Sequence, residues 1–109
     1  MELATAIKLI EKGVSRMTRP QRWADFGAGD GLFSRALASL IEAESTVYAV
    51  DKNSPVKIIG PEGIEIIQQQ KDFIKHDTGL SDLDGIIMAN SLHYAEEKLP
   101  LLKKLTRLI

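Results

Sequence analysis

The chain has no cysteine among its 109 residues, which excludes a disulfide framework and any thiolate metal site. Only two histidines occur, His76 and His93, and neither stands with carboxylates at metal-ligand spacing. Charge of one sign is equally scarce. Fourteen Lys and Arg against 15 Asp and Glu leave a net charge of −1 and no basic footprint for nucleic acid. What basic charge there is gathers at the N-terminus, where Lys8, Lys12, Arg16, Arg19 and Arg22 read as a solvated helix face. No apolar run approaches the length that spans a membrane, and no secretory pattern opens the chain, so a cytoplasmic location is expected. Neither a Gly-x-Ser-x-Gly elbow nor a P-loop is present, which disfavours a hydrolase or an NTPase. Repeats and low-complexity stretches are lacking too, and the length suits one domain over residues 1–109.

Alternating strand and helix patterns fill that length. Leu3, Ala6, Ile7, Ile10 and Val14 predict an amphipathic helix over residues 2–16, weakened at Gly13 and ended by Thr18-Arg19-Pro20. Strands are expected at about 22–27, 46–51, 64–69 and 84–90. A helix over Gly31–Ala43 shows an apolar face of Leu32, Phe33, Ala36, Leu37, Leu40 and Ile41, and a last one is expected at about 95–108. Gln68-Gln69-Gln70 makes the third strand polar, as suits an edge, whereas the fourth is almost continuously apolar. Strands alternating with helices argue an α/β parallel sheet.

The densest information lies in Trp23-Ala24-Asp25-Phe26-Gly27-Ala28-Gly29-Asp30-Gly31, followed by Val47-Tyr48-Ala49-Val50-Asp51. A strand that turns at once into a helix needs backbone angles that only glycine adopts readily. The glycine spacing is Gly27-x-Gly29-x-Gly31, and Leu32 stands where a dinucleotide fingerprint wants its third glycine. Asp30 suits the cap of the following helix. Asp51 ends the second strand about twenty residues past the turn, the offset at which a carboxylate meets both hydroxyls of a ribose. An Asp after a strand is also an ordinary turn cap; the offset favours the ribose.

On these residues the chain resembles the N-terminal, cofactor-binding half of a class I S-adenosylmethionine-dependent methyltransferase. That resemblance implies a Rossmann-like three-layer sandwich with a mostly parallel sheet, strands in order 3-2-1-4, truncated before strands 5–7. It implies that Asp25, Gly27, Ala28, Gly29 and Gly31 cradle the methionine end of the cofactor, with Asp51 and Lys52 at the ribose. Asp72 and Phe73 stand where the family's Asp-hydrophobe pair reads adenine, and Asn90 where a segment passes beside the sulfonium. His93 follows that segment and is the one candidate for a catalytic base, at a pH its imidazole can serve.

A fourth strand left at the sheet edge is a template for another chain. A homodimer, or a partner chain that completes the sheet, is therefore expected. Two other functions compete: a non-catalytic S-adenosylmethionine-binding or assembly module, and a nicotinamide-binding fragment. Leu32 and the Asp72-Phe73 pair weigh against the nicotinamide reading, and the methyl acceptor is not legible.

Overall fold

Four short strands, each rich in β-branched or aromatic residues, lie side by side in parallel in the order β3-β2-β1-β4. The computed structural model describes residues 1–14, 18–53, 57–88 and 104–109. They form α1 (Leu3–Ile10) with a 3-10 turn at Glu11–Gly13, β1 (Arg22–Phe26), α2 (Leu32–Ala38), β2 (Thr46–Asp51), β3 (Glu65–Gln70) and β4 (Gly85–Ile87). This α/β arrangement is compatible with a Rossmann-like fold, in the expected strand order.

Burial follows position in the sheet. β1 is central and buried along most of its length, while β3 exposes Glu65, Ile67 and Gln70. Residues of β1 alternate between two apolar layers, as the period of a strand requires. On one face Trp23 joins Val14, Leu37, Ala38 and Val47, beneath α2, which packs in turn against α1. On the other, Ala24 and Phe26 join Val50, Phe73, Leu83 and Leu105. That second face is covered by the 71–83 segment and by residues 104–109, where Lys104 Nζ donates to the carbonyls of Phe73 (3.2 Å) and His76 (3.1 Å). Gly85 of β4 lies directly under the Trp23 indole, with no room for a side chain between them.

Three expectations are corrected. The second helix ends at Ala38 rather than Ala43. Ser39 closes it, its N–H shared between the carbonyls of Arg35 and Ala36 and its hydroxyl turned back on Arg35 O at 3.0 Å. Glu44 then takes a left-handed φ of 69° to lead into β2, while Leu40 and Ile41 still pack on the core. The first helix likewise gives way after Ile10 to a 3-10 turn ending at Gly13.

Arg19 and Arg22 are not on a solvated helix face. Arg19 Nη2 pairs with Asp84 Oδ1 at 2.7 Å, and the Arg22 N–H donates to Asp84 Oδ2 at 2.8 Å. The Arg22 guanidinium donates to Ser81 O and Tyr48 Oη, and sits 5.4 Å over the Tyr48 ring. The chain has left the helix by then, so these side chains run along the end of the sheet where β1 begins. Asn90, His93 and residues 89–103 generally lie outside the described residues, and with them most of the expected last helix.

Candidate functional site

A parallel sheet brings the carboxyl ends of its strands to one edge, and the turns that leave β1, β2 and β3 meet there. Backbone hydrogen bonds stitch them together. The N–H groups of Gly27 and Ala28 both donate to Val50 O, at 2.7 and 3.0 Å, and the Lys71 N–H donates to Asp51 O at 2.8 Å. Asp51 is thereby held between the glycine turn and the segment that follows β3. The cleft so formed measures about 520 Å³, within the range of small-molecule sites.

The glycine turn is built as its sequence requires. Gly27, Gly29 and Gly31 all have positive φ, of 83°, 56° and 88°. At Gly29 a Cβ would meet nothing within 4 Å, so conformation alone demands glycine there. At Gly31 a Cβ would also come within 2.5 Å of the Ile58 side chain. Asp30 is not the N-cap expected of it, a position Gly31 holds; its Oδ1 instead accepts from the Leu32 N–H at 3.1 Å in a turn just before α2. None of the described hydrogen bonds uses the N–H of Gly29 or Asp30.

Of the predicted site residues, Asp25, Gly27, Ala28, Gly29, Asp51, Lys52, Asp72 and Phe73 all line this one cleft. Gly31 does not; it is buried behind the turn against Ile58. Asn90 and His93 fall outside the described residues. Leu32 and Phe33 of α2, Asn53, Ile74 and Met1 line the cleft as well, and the sequence pattern alone did not single them out for it.

The carboxylates differ in how they are held. Asp51 is half-buried, and its carboxylate makes no hydrogen bond among the described residues. Asp72 Oδ1 accepts from the N–H groups of Ile74 (3.1 Å) and Lys75 (3.4 Å), so this residue caps the turn it begins. Phe73 is anchored in the core, its ring 4.9 Å from that of Phe26, and none of the described hydrogen bonds uses its backbone N–H.

Asp25 is the unusual member, a cleft-lining carboxylate only 1% exposed. Because it shares the face of Trp23, it points at α2, where Ser34 Oγ donates to its Oδ2 at 2.7 Å. Burial pushes its pKa from 3.8 up to about 6; the Ser34 hydrogen bond opposes the rise and the nearby charge of Asp51 adds to it. Ser34 was missed from the sequence, although it stands on the stripe of Leu37, Ala38 and Ile41 that faces the core, where a hydroxyl needs a partner.

No family model matches this sequence, and neither a curated protein nor a solved structure does.

Proposed function

We propose that this chain binds S-adenosylmethionine in the cleft and serves as the cofactor-binding part of an S-adenosylmethionine-dependent methyltransferase. The observation that carries the reading is the convergence in one cleft of Asp25 and the glycine turn, Asp51, and the Asp72-Phe73 pair, drawn from three separate strand ends. In this reading Asp25 and the turn take the amino-acid end, Asp51 the ribose hydroxyls, and Asp72 with the Phe73 N–H the adenine. Bound there, the cofactor supplies an electrophilic methyl group, and these residues bind and orient it.

Charge supports this ligand over a phosphorylated one. Asp25, Asp30, Asp51 and Asp72 line the cleft against two cationic groups, Lys52 and the amino-terminal ammonium of Met1. A pyrophosphate would meet like charge at short range, whereas a sulfonium and an ammonium meet opposite charge. Leu32 also fills the place where a nicotinamide dinucleotide site carries glycine.

Calorimetric titration with S-adenosylhomocysteine tests the reading, with NAD as control. Saturable binding near one per chain is expected for the first and none for the second. Asp51→Ala should weaken binding by about 1–3 kcal/mol, the loss of a charged hydrogen-bond partner. Equal binding of NAD, or an affinity untouched in the Asp51 variant, would count against it.

A further inference from the structure

Outside the residues already given a role, one buried polar contact touches the cleft from behind. Ser34 is fully buried on α2, with no solvent to satisfy its hydroxyl, and its Oγ donates to Asp25 Oδ2 at 2.7 Å. Asp25 is itself 1% exposed and lines the cleft. A carboxylate in that setting has little water to hold its charge, so the orientation and ionisation of the group rest on the few dipoles aimed at it. Ser34 is the side chain aimed at it from α2.

We propose that Ser34 is a positioning residue for ligand binding: acting through Asp25, it favours the ionised carboxylate that the ammonium of a ligand's amino-acid end requires. The inference rests on the proposed function, since it assigns Asp25 to that ammonium. Its consequence is a proton link. A cationic amino group binds the carboxylate and not the carboxylic acid, so a proton leaves Asp25 wherever the free chain holds one. The hydroxyl favours the charged form and thereby sets the pH at which binding switches on. Burial and the Asp51 charge act against it. The other charged groups that line the cleft are Asp30 on the glycine turn, Lys52 after β2 and Asp72 after β3, together with Met1, which carries the chain's amino-terminal ammonium. α1 presents no ionisable side chain to the cleft, and β4, whose Ile87 pairs with Asp25, contributes none among its residues Gly85–Ile87.

The test compares the chain with Ser34→Ala by titration with S-adenosylhomocysteine from pH 5 to pH 8.5. In the parent chain, affinity should climb with pH and level off above a midpoint near the Asp25 value of about 6. Loss of one charge-assisted hydrogen bond should move that midpoint up by about one pH unit. Binding of the variant would then be about fivefold weaker at pH 6 and unchanged at pH 8.5, which loss of fold or of cleft shape would not produce.

Carbon-13 detection of the Asp25 carboxyl in the ligand-free chains provides a second readout and should show the same upward displacement. If the parent chain binds and the two pH profiles coincide, Ser34 has no such role and the proposed function stands. Absence of binding at every pH overturns the proposed function and the ligand link with it. An unshifted Asp25 titration in the variant overturns the Ser34 contact as the source of control.

Discussion

At pH 8 the Asp25→Asn variant should be more stable than the parent chain, and at pH 4 it should not. Asp25 is buried between β1 and α2, and its pKa stands at about 6 against 3.8 in an ordinary setting. An acid with a raised folded value holds its proton better in the folded chain than in the unfolded one. Stability therefore falls as the pH climbs from about 4 to about 6 and stays lowered above that. A rise from 3.8 to about 6 corresponds to about 3 kcal/mol at full ionisation.

Asparagine has the same shape and keeps an acceptor for Ser34 Oγ, but it carries no charge to desolvate. Urea unfolding followed by far-ultraviolet dichroism at both pH values measures the difference. The expected gain is up to about 3 kcal/mol at pH 8, on the order of 10 °C in Tm for a domain this small, and close to nothing at pH 4. A variant less stable than the parent at pH 8, or one with the same gain at both, would refute the argument that desolvation dominates this carboxylate. Under the proposed function the same variant should bind S-adenosylhomocysteine more weakly, so stability and binding would move in opposite directions.

Gly31→Ala should destabilise the chain by at least about 1–2 kcal/mol, because it places a Cβ in a left-handed position and against Ile58. Gly29→Ala has only the conformational cost and should be milder, and adding Ile58→Ala to Gly31→Ala should show a favourable coupling in a double-mutant cycle read by thermal denaturation. Asp84→Ala should cost about 1–2 kcal/mol by leaving the Arg22 N–H without its acceptor, and more than Arg19→Ala, whose partner is shared and largely screened by solvent. The Arg19 hydrogen bond holds the Asp84 carboxyl below its usual range, so the stability it lends is present above about pH 4 and fades in acid, which a pH series on both variants would reveal.

What could be read in advance was whatever depends on neighbours in sequence. Strand positions fell within a residue or two at β1, β2 and β3, since short runs rich in aromatic or β-branched residues between turn-forming segments leave little choice. The glycine turn and Asp51 were legible because fixed offsets in a strand–turn–helix–strand unit translate directly into position. The early end of α2 was not, because Leu40 and Ile41 continue the helical spacing and still reach the core from a non-helical backbone. Contacts across large separations were equally hidden. Arg22 finds Tyr48 within β2, and Ser81 and Asp84 in the segment that leads into β4. Ser34 was a near miss: strand parity puts Asp25 on the α2 side, and a lone hydroxyl on an apolar helix stripe is the mark of a buried polar partner.

Trp23 is the only tryptophan in the chain, 6% exposed, with its Nε1–H donating to Gln21 Oε1 at 2.9 Å. Its ring lies across Gly85, between β1 and β4, and takes no part in lining the cleft. The chain thus contains its own optical reporter, seated at the seam on which the fourth strand depends. Its emission should move to longer wavelength when that seam opens and stay still when the cleft fills. Peeling away of β4 and occupation of the cleft would then be separable in one fluorescence experiment, with no label attached.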